Sequence, residues 1–329
     1  MHDLLTKLEG FRSLIGNTRI KKLDVEHIDV YAKLEYENLF GSIKDRAAFY
    51  IIAEAIRNGQ LTAGNFVVES SSGNFAIALM GICNALDIGF MPVIDPNINE
   101  DYEKILRLGC DVVKVTETDE TGGYLLTRIK KVKEIVREHK NAFWTNQYAN
   151  VNNYLSYYHS IGAELGASFE KLDYVFAAVS SGGTITGLSL RLREFFPGIK
   201  VVAVDIEGSL VFSDTPQKRY ISGIGASKRS DFLQHAKIDD VVHVSHRNII
   251  RGCRELLKEQ SIFAGGSSGA CYHAVKTYFS GHRFSGIKPV AAFICPDKGN
   301  AYLNNIFNDA WAEKITALAE REISIGKTY

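Results

Sequence analysis

Short apolar runs alternate with longer helical patterns along almost the whole of this 329-residue chain, and several of the runs are continuously apolar. An alternating strand shows one face to water, whereas a continuously apolar one is covered on both faces, as in a parallel sheet. Strands are expected at Val30–Tyr36, Asn65–Ser70, Phe90–Asp95, Asp111–Val115, Tyr174–Ser180, Val201–Ile206 and Val290–Pro296. Between them, AFYIIAEAIRNG, FAIALMGICNAL, YLLTRIKKVKEIVREH, TGLSLRLREFF and RGCRELLKEQ have helical spacing. Alternation of this kind implies an α/β architecture with a doubly wound sheet. No repeat, low-complexity tract or linker interrupts it, so two lobes would be interwoven rather than strung in series.

A chain of this length can bury a substantial core. It is 46% hydrophobic and 23% charged with formal net charge +0, which favours neither nucleic acid nor an anionic membrane as partner. The opening MHDLLTKLEG has no apolar run of the secretory kind, and no segment approaches a membrane span in length. Cys83, Cys110, Cys253, Cys271 and Cys295 stand far apart without a C-x-x-C pair and read as small residues of a reducing compartment. A cytoplasmic protein is the expectation.

The stretch NLFGSIKDRAAFY places Lys44 in a Gly-Ser turn at the mouth of a helix. A cation is unfavourable at that end of the macrodipole, and burial disfavours the charge further. Lys44 is then either a solvated first-turn lysine or an amine held ready as nucleophile and proton shuttle. In open α/β sheets, ligands sit beyond the carboxyl ends of the strands. Three such ends stand out. ESSSGNFAIALM opens a helix with hydroxyl residues and Gly73, which makes either an anion site or simple capping by Ser71 or Ser72. SSGGTITG (Ser180–Gly187) is an uncharged cradle of amides and hydroxyls suited to a phosphate; it is neither a Walker loop nor a G-x-G-x-x-G fingerprint. ICPDKGNAYL is a further strand-to-helix junction carrying Asp297.

Lys44 in its turn, then S-S-G-N, G-G-T-x-T-G and P-D-x-G, in that order and spacing, resemble the cysteine synthase and cystathionine β-synthase family over nearly the whole chain. These are fold type II enzymes dependent on pyridoxal 5′-phosphate. The resemblance implies two interwoven three-layer αβα lobes with mainly parallel sheets. Residues 1–40 and 149–329 would form the larger, cofactor-binding lobe, and residues 41–148 a smaller one that closes over the substrate. It also implies a homodimer acting on small amino acids, with no metal.

By the same resemblance Lys44 would bind the cofactor aldehyde and then move the substrate's α-proton. Ser181, Gly182, Gly183 and Thr184 would hold the cofactor phosphate, and Asn74 the ring hydroxyl. Ser71, Ser72 and Gly73 would take the substrate carboxylate. Two departures from the family pattern stand out: Phe75-Ala76 replaces the usual Thr-Gly, and Asp297 stands where a serine often meets the pyridine nitrogen. GGYLLTRIKKV, WTNQYAN, GIGAS and FAGGSSGA resemble more closely a siderophore-pathway branch that joins O-phospho-L-serine to L-glutamate through an aminoacrylate, towards 2,3-diaminopropionate. In that branch Arg128, Tyr148 and Ser180 would line the substrate pocket, the guanidinium suiting a phosphate or carboxylate. The nearest rival keeps the cofactor and uses sulfide or homocysteine as nucleophile. A nicotinamide oxidoreductase would need the absent glycine fingerprint, and a non-catalytic relative would not need Lys44.

Overall fold

The computed structural model describes residues 2–120, 122–280 and 288–326. Its strands are β1 (Ile20–Leu23), β2 (Asp29–Leu34), β3 (Phe66–Ser70), β4 (Gly89–Ile94), β5 (Val113–Lys114), β6 (Ala142–Trp144), β7 (Tyr174–Ala178), β8 (Lys200–Ile206), β9 (Asp240–Val244) and β10 (Val290–Cys295). The helices are α1 (His2–Glu9), α2 (Lys44–Arg57), α3 (Asn74–Ala85), α4 (Glu100–Gly109), α5 (Leu125–Glu138), α6 (Asn152–His159), α7 (Ile161–Ser168), α8 (Gly183–Phe195), α9 (His246–Gln260), α10 (Gly266–Tyr278) and α11 (Asp309–Gly326).

The chain divides into two compact units, Met1–Asn17 with Asn38–Ser160, and Thr18–Glu37 with Ile161–Tyr329. These bounds differ from the expected ones: residues 1–17, 38–40 and 149–160 go with the unit that holds Lys44. The reason is packing, since α1 lies on α2 and α3, and α6 lies on α2.

The first unit carries a sheet in the order β5-β4-β3-β6, every pair parallel. β3 therefore sits between β4 and β6, and residues just past those three strands share one edge. Helix α5 packs on this sheet through Val132 and Ile135, which join Val68 of β3 and Val93 of β4 in a small core. Arg128 precedes Val132 by four residues and Ile135 by seven, so it projects from the same helix face.

The second unit has a sheet in the order β1-β2-β10-β7-β8-β9, parallel except for β1 against β2. From Val201 to Ile206 every residue of β8 is buried, which accounts for the apolar run Val201–Val204; Asp205 is the one charged residue among them. Ile249, Cys253 and Leu256 of α9 and Ala270, Cys271 and Ala274 of α10 pack with Phe176, Val204 and Phe293 from the strands.

Several elements lie outside the sequence expectations for physical reasons. β1, β6 and β9 are short, and two of them, β1 (IKKL) and β9 (DVVHV), are edge strands with charged or titratable residues that break the apolar run. The expected strand Asp111–Val115 shrinks to the two residues of β5 at a sheet edge. α10 opens on GSSG, which has poor helix propensity; burial of nine of its residues compensates. The junction after β10 forms only a 3-10 turn, Gly299–Tyr302, rather than a helix.

Candidate active site

Lys44 is the first residue of α2 and is half-buried. The turn before it is held from below by Asp45. One carboxylate oxygen of Asp45 accepts from the Phe40 amide at 2.6 Å, the other from the Ser42 hydroxyl at 3.3 Å, and the Lys44 amide donates to Ser42 Oγ at 3.1 Å. An anionic residue in the first turn also complements the helix dipole. The backbone under Lys44 is thus fixed at both ends.

The S-S-G-N loop follows β3. Neither Ser71 nor Ser72 takes the cap position of α3, which is Gly73 and has no side chain. The Ala76 amide closes the turn on the Gly73 carbonyl at 2.9 Å, and a helix start of this kind attracts anions such as a carboxylate. Asn74 Oδ1 accepts from the Tyr102 hydroxyl at 2.6 Å. Phe75 is buried in the core, so its bulk is directed away from solvent.

Arg128 and Ser72 come together. Arg128 Nη1 donates to Ser72 Oγ at 2.7 Å and lies 3.2 Å from Asp95 Oδ2, while the Ser72 hydroxyl donates to that same oxygen at 3.2 Å. Both charged side chains are nearly enclosed, at 12% and 8% exposed. Tyr148 is close enough to Arg128, Glu69 and Asp95 to feel their charges. Burial pushes its phenol above the ordinary value, and Arg128 opposes the rise. Glu69, the next-to-last residue of β3, is within reach of Tyr148 by its charge. Its carboxylate accepts from the Ser70 amide, the Thr145 hydroxyl and the Gln147 amide. Burial nevertheless raises its pKa, against the pull of those donors.

In the second unit Ser180–Thr184 joins β7 to α8. Gly182 is the cap residue at φ +84°, and a Cβ there would come within 2.4 Å of Leu233 Cγ, so only glycine fits. Ser181, Gly182 and Gly183 are buried, and Ser180 and Thr184 half-buried. No side chain caps α8. The loop is braced from outside, because Ser230 Oγ donates to the Ser181 carbonyl and the Gly225 amide to the Val179 carbonyl. Asp297 follows β10, the neighbour of β7, and is buried with Oδ2 accepting from Tyr302 at 2.9 Å.

A pyridoxal phosphate asks for a primary amine, a neutral cradle of amides for its phosphate and partners for its ring. Within the second unit the glycine-only turn before the thirteen-residue helix α8 is a neutral loop that a phosphate would suit, and within the first unit Lys44 at the start of α2 is a primary amine. The residues fit the group.

Sequence reasoning missed Asp95, Glu69, Tyr102 and Ser267. Asp95 was legible as the last residue of an expected strand, but its meaning depends on β4 lying beside β3. Ser267, in GGSSG, is buried and donates to the Gly223 carbonyl at 3.0 Å. A Cβ on Gly223 would lie 3.6 Å from Ser267 Oγ and 3.2 Å from the Tyr302 hydroxyl, so Ser267 and the Asp297–Tyr302 pair flank one glycine.

Residues 11–295 match the family model described as pyridoxal-phosphate dependent enzyme. The chain is 40% identical over 310 residues to an N-(2-amino-2-carboxyethyl)-L-glutamate synthase of Ralstonia nicotianae, spanning 92% of this chain and 90% of that protein. It is likewise 40% identical over 309 residues to the synthase of the same name from Cupriavidus metallidurans, spanning 92% and 91%. Among solved structures, the O-acetylserine dependent cystathionine β-synthase of Helicobacter pylori superposes with a TM-score of 0.83 at 28% identity, covering 90% of this chain and 97% of that one. With its two units built on mainly parallel sheets and a lysine at a helix start, the chain belongs to the pyridoxal-phosphate dependent enzymes.

Proposed function

We propose that this enzyme carries out a β-replacement that joins O-phospho-L-serine to L-glutamate, giving N-(2-amino-2-carboxyethyl)-L-glutamate and phosphate. The observation that carries the reading is the enclosed Arg128 bonded to Ser72 of the loop after β3, a cation built into the wall of an amino-acid site. The shared name of the two relatives supports it. Of the two rival nucleophiles, sulfide has no carboxylate for a guanidinium to hold, and homocysteine has one where glutamate has two.

The cofactor, when bound, supplies the electron sink that acidifies the substrate's Cα proton. Ser181, Gly182, Gly183 and Thr184 hold its phosphate, Asn74 orients its ring, and Asp297 is the carboxylate candidate for the ring nitrogen, with Ser267 as the neutral one. The loop before α3, with Ser71 and Gly73, receives the substrate carboxylate. The Lys44 amine takes the proton from Cα, and phosphate leaves Cβ with the C–O electron pair. The glutamate amine then forms its bond to Cβ and loses a proton, and Lys44 returns the proton to Cα. Tyr148 and Ser180 donate hydrogen bonds to the second substrate. The same reading places the enzyme in a cytoplasmic homodimer that supplies 2,3-diaminopropionate for siderophore assembly. No described helix is long and apolar enough to cross a membrane.

Incubation of the holoenzyme with both substrates, followed by mass spectrometry, tests the reaction. The coupled diamino acid should accumulate with one phosphate released per product, and Lys44→Ala should form none. Cysteine formed from sulfide, with no coupled product from glutamate, would overturn it.

A further inference from the structure

Asp95 belongs to none of the roles above, yet it is the hub of the cluster around Arg128. Its Oδ1 accepts from the Asn97 amide at 2.8 Å, which fixes the carboxylate to its own turn. Its Oδ2 is shared by the Ser72 hydroxyl and Arg128 Nη1. Ser72 therefore spends its proton on Asp95 and its lone pair on Arg128, and it serves as a bridge between the two charges. Arg128 Nε is shut off from solvent and has no hydrogen-bond partner among the described residues. A buried guanidinium donor left open in this way calls for an acceptor. Asp95 also keeps Arg128 from being an uncompensated buried cation.

We propose that Asp95 is the positioning residue for Arg128: by anchoring one end of the guanidinium and the Ser72 hydroxyl, it leaves the remaining donors aimed at an oxyanion of the substrate. The occupant is a phosphate ester or a side-chain carboxylate, the two anions that the proposed reaction brings to this site, and the inference rests on that reading. A carboxylate beside an anion site also repels the ligand, so its contribution must be orientation, and the sign of its effect is informative.

The test is the affinity of the holoenzyme for inorganic phosphate and, separately, for L-glutamate, measured by calorimetry. Wild type, Asp95→Asn, Asp95→Ala, Arg128→Ala and the double alanine variant are compared, with melting temperatures alongside. Asp95→Ala should weaken one of the two anions about tenfold, as expected for a lost charge-assisted arrangement. Asp95→Asn, which keeps an acceptor for Ser72, should retain part of that affinity. Arg128→Ala should weaken the same anion at least as much, and the double variant no further. Loss confined to phosphate identifies the first substrate's leaving group as occupant, and loss confined to glutamate identifies the acceptor. Unchanged or improved affinity in Asp95→Ala, effects that add to those of Arg128→Ala, or a wild type that binds neither anion would overturn the proposal. A wild type that binds an anion with this pattern but forms no coupled product would instead overturn the reaction and leave the role of Asp95 standing.

Discussion

The Thr145 hydroxyl donates to the buried carboxylate of Glu69 at 2.5 Å, tying the residues that follow β6 to the end of β3. The Gln147 amide joins the same oxygen at 3.1 Å, and the Ser70 amide takes the other at 2.7 Å. One carboxylate thereby sets the distance between the S-S-G-N loop and the segment that carries Tyr148. Glu69→Gln replaces an acceptor oxygen with an NH2 group facing donors, which should cost about 1–3 kcal/mol of stability. Because burial raises the Glu69 pKa above its ordinary 4.5, its contribution is fully present below that value and declines as pH rises through the folded-state pKa. The melting deficit of the variant should therefore be larger at pH 5 than at pH 8. An equal deficit at both would contradict the assignment.

Gly182→Ala places a methyl group against Leu233 on a backbone at φ +84°. The turn must shift, and with it the amides that start α8. Affinity for pyridoxal phosphate, followed by absorbance during reconstitution of the apoenzyme, should fall about tenfold or more, on the basis of strain of roughly 1–3 kcal/mol. Wild-type affinity would remove the loop from the cofactor site.

Tyr148 is assigned as a neutral donor. Its phenol is pushed above its ordinary value of 10.0, so it stays protonated through neutral and mildly alkaline pH. The loss of kcat/KM in Tyr148→Phe should be the same factor at pH 6.5 and pH 9. A loss that vanishes as pH rises would mean that the phenol ionises in that range.

Much of this was readable from residues alone. The apolar runs that open VVAVDI and VAAFICP marked strands buried on both faces, and glycine beside hydroxyls in SSGGT marked a loop suited to a phosphate. Arg128 could have been placed from its spacing, since Val132 and Ile135 lie on its own helical face. What stayed hidden depends on which strands are neighbours. Asp95 acquires meaning only because β4 lies beside β3, and Glu69 only because β6 lies on β3's other side. Sequence order brings neither pairing to view. Ser267 was hidden for another reason: GSSG reads as a turn, and only the packing of α10 makes it a helix start.

The measurement that bears most directly on the central claim is the cofactor absorbance spectrum of the holoenzyme during sequential addition of substrates. O-phospho-L-serine alone should shift the spectrum to a stable new band with release of phosphate, and L-glutamate should then restore the resting spectrum while sulfide at the same concentration restores it poorly. A band discharged only by sulfide would make the enzyme a cysteine synthase, and no band with O-phospho-L-serine would contradict the first half of the reaction.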